Sequence, residues 1–322
     1  MNYLLRPSLI LAFCVALVLA SVAAPARADV PTVRLLMDWF IQADQAGFWQ
    51  EQIDDLGKPY GVKIAVLQGG PKIQTIPQVA SGQAEFGIGN ADDIILARVH
   101  GVPVRAVFAF MNYVPYDLVY HPDLKIRTLS DLKDKTFAVN IGFGYWEWLK
   151  QHYHMENAHE IPVSGDLTLF KLNPDLVQQG YTIFLPARFD ELHVPNAQFR
   201  VADLGYRPYA TLFTTDEMIK DHPDLVRKMV AAAKQGWENF LADPSKFKAM
   251  ALSMNGQISA SVNDRAVAEL EGTLVPHDHA KIGCMTDARW NELTKQLQAV
   301  DMVPANFDPK QAYTLSMEPG CK

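Results

Sequence analysis

The sequence SGQAEFGIGNADDIILARVHG, residues 81–101, contains a complete strand-to-helix unit. EFGIG, residues 85–89, predicts a short strand, and Asn90 stands where it can cap the helix ADDIILARVH, residues 91–100. Gly101 ends that helix, because glycine accepts the backbone conformation that follows a helix C-terminus. A strand that turns directly into a helix is the repeating unit of α/β proteins.

Strands and helices alternate on both sides of this unit. Before it, the pattern predicts strands at residues 33–37 and 62–68 and helices at residues 43–56 and 72–80. After it, the predicted elements are strands at residues 102–111, 136–140 and 181–185 and helices at residues 145–154, 173–180 and 223–241. From Asp216 onward the pattern is mostly helical. The order predicts α/β architecture with a helical C-terminal part.

The first 28 residues have the features of a secretory signal peptide. Arg6 supplies a basic region, an apolar stretch runs from Leu9 to Ala20, and Ala26 and Ala28 are small residues before a cleavage site. The alternative, a membrane anchor, is disfavoured because this stretch is shorter than the ~20 residues of a spanning helix. We therefore expect cleavage after Ala28 and export of the mature protein to the periplasm.

Charge and cysteine content narrow the possible partners. Removing residues 1–28 takes away Arg6 and Arg27 and no acid, so the formal charge changes from −7 to −9. An acidic chain with scattered Lys and Arg has no electrostatic footprint for nucleic acid or anionic lipid. The remaining cysteines, Cys284 and Cys321, either pair in an oxidising compartment or stay as two separate thiols.

Several motifs follow one another in a recognisable order. They are DWF at residues 38–40, SGQAEFGIG at 81–89, DDIILAR at 92–98, GVPV at 101–104, LSDLKDKTFAV at 129–139 and GFGYWEW at 142–148. This order resembles the NMT1/THI5-like group of substrate-binding proteins that serve ABC importers. The resemblance implies a type II periplasmic-binding-protein fold, in which two α/β lobes, each a mixed sheet flanked by helices, enclose a ligand cleft. Residues 29–115 and 212–322 would form lobe 1, and residues 116–211 lobe 2.

The residues themselves point to the same cleft. In open α/β sheets, ligands lie beyond the carboxyl ends of strands, where loops lead into helices. Three loops have this position: DWFIQAD at residues 38–44, GNADD at 89–93 and NIGFGYWEW at 140–148. The first two fall in the predicted lobe 1 and the third in lobe 2, so we expect them to face each other.

Aromatic residues and glycines in these loops are candidate ligand contacts. Trp39 is either a stacking plate for a flat ligand or a core residue of its lobe. Tyr145, Trp146 and Trp148 cannot all face one way, because successive helical residues turn by about 100°, so we expect one or two of them to pack inward. Phe143 and Tyr116 are further candidates, each equally consistent with plain packing. Gly142 and Gly144 would let backbone N–H groups approach a ligand.

Acidic residues at the starts of two predicted helices limit the ligand. Asp92 and Asp93 follow Asn90, and Glu147 lies in the first turn of the other helix. They either stabilise the helix N-termini or bind ligand. Their charge disfavours nitrate, sulfonate or phosphate and favours a flat nitrogen heterocycle that donates N–H groups.

The resemblance sharpens this ligand prediction. Members of the group that bind thiamine-precursor pyrimidines have a similar DWF opening, but this chain has Ile41 and Gln42 where they have Pro-Asn, and Gln45 where they have His. A related ring with a different substituent, a flavin, another heterocycle or an aromatic acid all stay open. The predicted site comprises Trp39, Asn90, Asp92, Tyr116, Phe143, Gly144, Tyr145, Trp146 and Glu147.

Two other function classes are less consistent with the sequence. The group includes a fungal pyrimidine synthase, but the cleft loops offer no nucleophile with an evident base, so no catalytic residue and no cofactor are predicted. His152, His154 and His159, and separately His277 with His279, lack a complete set with zinc-like spacing, so no metal site is predicted. The expected partners are a small-molecule ligand and the permease subunits of an ABC transporter, with the protein itself a monomer.

Overall fold

The computed structural model describes residues 30–164, 167–317 and 321. One compact unit begins at Thr32 and includes the described residues that follow it. The predicted signal peptide, residues 1–28, lies outside the described residues. Within them, no helix combines the length and the apolar character that crossing a bilayer requires.

Two five-stranded mixed sheets form the framework, as the fold prediction requires. The first has the order β2-β1-β3-β10-β4 and the second β7-β6-β8-β5-β9. The strands are β1 Thr32–Leu36, β2 Lys63–Leu67, β3 Phe86–Asn90, β4 Val104–Met111, β5 Tyr116–Tyr120, β6 Thr136–Val139, β7 His159–Pro162, β8 Leu176–Tyr181, β9 Ala197–Arg200 and β10 Ala210–Thr215. The chain enters the second sheet after β4 and returns to the first with β10, so two segments cross between the lobes.

Helices flank both sheets. They are α1 Ala46–Ile53, α2 Thr75–Ala80, α3 Ala91–Val99, α4 Gly144–His152, α5 Thr168–Leu172, α6 Leu185–Glu191, α7 Asp216–Asp221, α8 Pro223–Ala242, α9 Ser245–Met254, α10 Ala260–Glu269 and α11 Asp287–Ala299. Short 3₁₀ turns lie at Ala43–Gln45, Lys58–Tyr60, Pro122–Leu124, Leu129–Leu132, His279–Lys281 and Pro309–Gln311, and a π turn at Leu270–Leu274.

Within each sheet, the parallel pairs bring strand ends together at one edge. In the first sheet β1 pairs in parallel with both β2 and β3, and β10 runs antiparallel between β3 and β4. In the second sheet β6 pairs in parallel with β7 and β8, while β5 runs antiparallel to β8 and β9. The loops that follow β1 and β3 therefore share one edge, as the cleft hypothesis requires.

Close packing of α1 against α8 fixes the loop that follows β1. A side chain at Gly47 would overlap the ring of Trp237, and one at Gly236 would overlap the carbonyl oxygen of Gly47. Only glycine allows the two helix backbones to approach this closely. The predicted apolar stripe of α8 is buried at Val226, Met229, Val230, Ala233 and Trp237, with Leu241 packed at its margin.

Two predicted elements of lobe 2 are wrong. Residues 173–180 are not a helix, since Leu176–Tyr181 is strand β8 between β5 and β6. Residues 181–185 are not a strand, since α6 begins at Leu185. Gly180 ends the predicted helix in the sequence, but in the structure it leaves room for the Leu185 side chain. Pairing with β5, a strand that the sequence analysis did not identify, outweighs the local helix signals.

The C-terminal tail is covalently attached to the first lobe. Cys284 and Cys321 form a disulfide bond with a Cα–Cα distance of 5.3 Å across 37 positions of sequence. Of the two alternatives left open by the sequence, the structure adopts the paired one. Near the start of the same tail, Ala106 of β4 donates its N–H group to Ala312, and Thr314 donates to Ala106.

Candidate functional site

The loop after β1 holds two aspartates in place with glutamine side chains. Gln45 donates from Nε2 to Asp38 Oδ1 at 3.0 Å, and Trp49 Nε1 donates to Gln45 Oε1 at 3.3 Å. Gln42 donates from Nε2 to Asp44 Oδ2 at 3.4 Å. Because Gln45 is fully buried and already has two partners, its role is to orient Asp38.

The junction between β3 and α3 supplies two more aspartates. Asp92 accepts from the Tyr206 hydroxyl at 2.9 Å through Oδ2 and from the Asp93 N–H at 3.2 Å through Oδ1. Asn90 occupies the N-cap position, but its side chain makes no capping bond to the helix. The prediction that Asn90 caps α3 is therefore wrong. Its amide donates instead to Asp93 Oδ2 at 3.2 Å and to the Tyr116 hydroxyl at 2.9 Å.

Asp38, Asp44, Asp92 and Asp93 together form what we call the aspartate cluster. Burial raises the pKa of Asp44 to about 8, with a further contribution from the charge of Asp38. Burial also raises the pKa of Asp38 and of Asp92, each to about 6, against the opposing effect of the hydrogen bonds they accept. Burial first, then the neighbouring Asp92, raises the pKa of Asp93. Mutual repulsion in a desolvated site thus favours protonated carboxyl groups.

Within the described residues, no Lys, Arg or His side chain pairs with this cluster. Among the described residues, none of the ion pairs formed by Lys, Arg or His involves one of these four carboxyl groups. The side chains that do donate to the cluster are three neutral amides and one hydroxyl. The site therefore carries an uncompensated negative charge whenever its carboxyl groups ionise.

Tyrosines of the second sheet face these acids. Tyr116 stacks on Tyr145 with ring centroids 4.4 Å apart and meets Tyr181 edge-on at 5.5 Å. Tyr145 donates its hydroxyl proton to Gln179 Oε1 at 2.5 Å. Burial raises the pKa of Tyr181, and all four members of the aspartate cluster raise it further. Acids of the first lobe and a tyrosine of the second therefore lie within electrostatic range of each other.

The N-terminus of α4 also reaches the cluster. A side chain at Gly144 would lie 2.8 Å from the Tyr206 hydroxyl and 3.5 Å from Asp92 Oδ2. The glycine allows α4 to approach the Tyr206–Asp92 pair closely. This contact brings the loop after β3 and the N-terminus of α4 together, and the charge of Asp38, in the loop after β1, contributes to the raised pKa of Asp93.

The predicted aromatic residues divide into exposed and buried groups. Trp39 is 40% exposed and touches only Phe40 among the ring contacts described, with centroids 5.7 Å apart, and Phe143 is 38% exposed. Trp39 is therefore not a core residue. Tyr145 and Trp146 are fully buried.

All three aromatic residues of α4 pack inward, which corrects the expectation that only one or two would do so. Trp146 packs on Phe137 at 4.7 Å, and Trp148 stacks on His152 at 4.4 Å. Other parts of the chain cover helix α4 on several sides, so the three aromatic side chains are all buried although they point in different directions.

Glu147 has a partner of its own. Its carboxylate pairs with Lys150 at 3.0 Å, and Lys150 pairs with Glu160 at 2.6 Å. Burial is the largest single effect on the pKa of Lys150 and lowers it, but the hydrogen bonds and charges of both glutamates together raise the pKa above its ordinary value. Glu147 is thus placed near the cleft loops but already neutralised.

Sequence reasoning missed several residues of this site. Asp38, Asp44 and Gln45 were visible as polar residues in a loop after an apolar strand, a signal that could have placed them in the site. Tyr181 and Tyr206 lie far away in sequence, within segments that carry no recognisable motif. Only the pairing of β8 with β5 and the return of the chain to β10 bring them to the cleft.

Other features of the surface are weaker candidates. An open groove of about 800 Å³ lies between residues 56–60 and α8, with Arg227, Lys234 and Glu238 among its lining residues. Its lining includes no member of the aspartate cluster. In the part of the chain that the structure describes, no three His, Cys, Asp or Glu side chains are placed to hold a metal ion.

Comparison with known proteins agrees with this architecture. The family model described as NMT1/THI5 like matches residues 40–247. The chain belongs to this family. Among curated relatives, the NMT1/THI5-like chain is similar to the riboflavin-binding protein RibY of Chloroflexus aurantiacus, with 24% identity over 94% of this chain and 91% of that protein.

Solved structures of low sequence identity share the fold of this NMT1/THI5-like protein. The alkanesulfonate-binding protein SsuA of Xanthomonas axonopodis pv. citri, bound to MOPS, has a TM-score of 0.69 at 13% identity and covers 88% of this chain and 98% of its own. The periplasmic aliphatic sulphonate binding protein SsuA of Escherichia coli has a TM-score of 0.67 at 14% identity and covers 87% and 91%. The fold is the type II periplasmic-binding-protein fold.

Proposed function

We propose that this NMT1/THI5-like protein is the extracytoplasmic solute-binding component of an ABC importer, and that it captures a small flat nitrogen heterocycle in the cleft between its lobes. The aspartate cluster is the observation that supports this ligand class, since carboxyl groups without a cationic partner accept N–H donors and, when ionised, repel anions. Catalysis is not part of the proposal, because the cleft offers acids and tyrosines without a nucleophile and its base.

The lobe limits follow from the sheets. Residues 29–115 and 212–322 would form lobe 1 and residues 116–211 lobe 2, a division supported by the return of β10 to the first sheet. The Asn90–Tyr116 bond joins the two proposed lobes. Ligand favours closure only through contacts made in the closed state, and the closed, monomeric protein would dock on the permease in the periplasm.

The walls of the ligand slot come from both lobes. Trp39 is exposed at the end of β1 and supplies one face. The ring of Tyr145 is covered by Tyr116, and the ring of Trp146 is buried in the core of its lobe. We therefore assign the opposite wall to Tyr181, which is only partly buried. Aromatic faces at this position suit a planar ring, whose stacking adds about 0.5–1.5 kcal/mol beyond buried area.

Within this class, a pyrimidine and a flavin are the two candidate ligands. The similarity to a protein named for riboflavin supports a flavin, which is flat and carries a ring N–H group. The departures at Ile41, Gln42 and Gln45 from the thiamine-precursor pattern weigh in the same direction, since Gln45 here serves to orient Asp38. Sulfonate and nitrate ligands fit poorly, because they would face the aspartate cluster.

Binding measurements test this function. Native mass spectrometry of the purified protein should find a co-purified heterocycle, and calorimetry should detect binding within a panel of aminopyrimidines, riboflavin, ethanesulfonate and nitrate. Trp39→Ala should weaken that binding by about 1–3 kcal/mol, the loss seen when a base loses its aromatic platform. Scattering should show a smaller radius of gyration with ligand. Tight binding of ethanesulfonate or nitrate alone would contradict the ligand class.

A further inference from the structure

Asp44 has a buried oxygen without a partner. The residue is 5% exposed, and its Oδ1 makes no hydrogen bond with any described residue. Its Oδ2 accepts only the long bond from Gln42. A buried carboxylate oxygen left unsatisfied is costly, so such a group in a native protein requires an explanation. Because Asp44 lies at the cleft end of β1, a ligand group that donates to Oδ1 supplies one.

The surroundings of Asp44 favour a charged donor over a neutral one. Burial, and after it the charge of Asp38, raises the pKa of Asp44, and the described side chains that donate to the cluster are all neutral. A neutral N–H group would satisfy one oxygen and leave the repulsion among the carboxylates in place. A cation satisfies the oxygen and also lowers the pKa of Asp44 by its charge, so that Asp44 releases its proton on binding and remains ionised beside its neighbours.

Tyr181, the proposed aromatic wall, also favours a cation over a neutral ligand. The Tyr181 ring lies within electrostatic range of the whole aspartate cluster, and it meets Tyr116 edge-on. The face of a tyrosine ring attracts cations, and this attraction grows when the site excludes water. Carboxylates beside aromatic faces therefore select an organic cation over a neutral molecule of the same shape.

We propose that the ligand carries a positively charged nitrogen group on its heterocycle, and that Asp44 binds this group through Oδ1 while Asp38 lies beside it. This inference rests on the proposed function, since the ligand must enter the cleft. It adds the charge of the ligand and a binding residue outside the set predicted from sequence.

Two matched pairs of probes test the charge of the ligand. Pyridine-3-carboxamidine and nicotinamide differ by one positive charge on a group that donates N–H, and 4-amino-5-aminomethyl-2-methylpyrimidine and its 5-hydroxymethyl analogue provide a second N–H-donating cation and its neutral counterpart. Calorimetry on the mature protein should give affinity for a cation that exceeds that for its neutral counterpart by about 10-fold, the ratio of one charge-assisted hydrogen bond.

Isosteric variants test the assignment to Asp44. Asp44→Asn keeps the shape and the bond from Gln42 but removes the charge, so it should weaken cation binding by about 10- to 100-fold. Affinity for the neutral probes should fall less than affinity for the cations. Glu51→Gln is the matched control, since Glu51 is also fully buried with both carboxyl oxygens unpartnered but packs against α8 at Gly236. If Asp44→Asn does not fold, Asp38→Asn replaces it with the same expected direction.

The outcomes separate this inference from the proposed function. Tight riboflavin or nicotinamide binding that Asp44→Asn leaves intact overturns the inference and preserves the function. Stabilisation by Zn²⁺ or Ca²⁺ that is lost in Asp44→Asn overturns it in favour of a metal site. Binding of ethanesulfonate alone contradicts both. Binding of none of the probes, with no cation recovered by native mass spectrometry, also overturns the inference.

Discussion

The loops after β1 and β6 both present acids and tryptophans at the cleft, but they treat them in opposite ways. In the β6 loop and α4, Glu147 is paired with Lys150 and Trp146 is buried on Phe137. In the β1 loop, Asp44 lacks a cation and Trp39 is exposed. Sequence motifs marked both loops equally. The difference teaches that a paired acid or a covered ring serves stability, whereas an unpaired acid or an exposed ring is available for binding.

The two tryptophans give the sharpest contrast. Trp146→Ala should lower the free energy of unfolding by about 3–5 kcal/mol, because it empties a fully buried site. Trp39→Ala should lower it by less than about 1 kcal/mol, because that side chain is 40% exposed. Denaturant unfolding of both variants measures these free energies. Equal losses for the two variants would remove the distinction between the loops.

Removing the cation that Glu147 and Glu160 share should cause a smaller loss of stability. Lys150→Met should destabilise the protein by about 1–2 kcal/mol, because it leaves the half-buried Glu147 and Glu160 without their shared cation. Lys135→Met is the control, since its pair with Asp175 is exposed and such pairs contribute little. Thermal unfolding of both variants decides the point. An unchanged melting temperature for Lys150→Met would show that the ion pair does not stabilise the fold, and would contradict the view that Glu147 has a purely structural role.

Sequence patterns anticipated much of this structure and failed where contacts are distant. The strands β1 to β4 and β6 and the long helix α8 follow from apolar periodicity and capping residues, which act over one or two turns. The strand β8 was mistaken for a helix, because Pro174 and Gly180 are local helix signals that pairing with β5 overrides. Asp92 was predicted as a site residue from its place after Asn90, but no local pattern indicates the bond from Tyr206, which joins positions 114 apart.

The unpaired acids of the first lobe predict a pH dependence of stability. The pKa of Asp44 is raised to about 8 and that of Asp38 to about 6, so the closed folded state keeps protons that the unfolded chain releases. The stability from these groups is complete below their unfolded pKa near 4 and is lost as pH rises toward 8. Without ligand, the melting temperature should therefore fall between pH 5 and pH 8.

Asp44→Asn checks the origin of that dependence. The variant cannot ionise at this position, so it should melt higher than wild type at pH 8 and equally at pH 4, with a difference of about 1 kcal/mol. The effect is the smallest of the three, because opening of the lobes can rehydrate the carboxyl groups. Glu51→Gln should instead raise stability without changing cation binding. A wild-type melting temperature that rises from pH 5 to pH 8 would contradict the assignment.

The sequence by itself determined the family, the alternation of strands and helices and the loops that meet at the cleft. These properties depend on local patterns and on motifs in fixed order. The tertiary structure alone decided which charged and aromatic groups are free. Whether Asp44 or Glu147 has a cation beside it depends on side chains brought together by sheet pairing and helix packing, and burial then sets the strength of each charge.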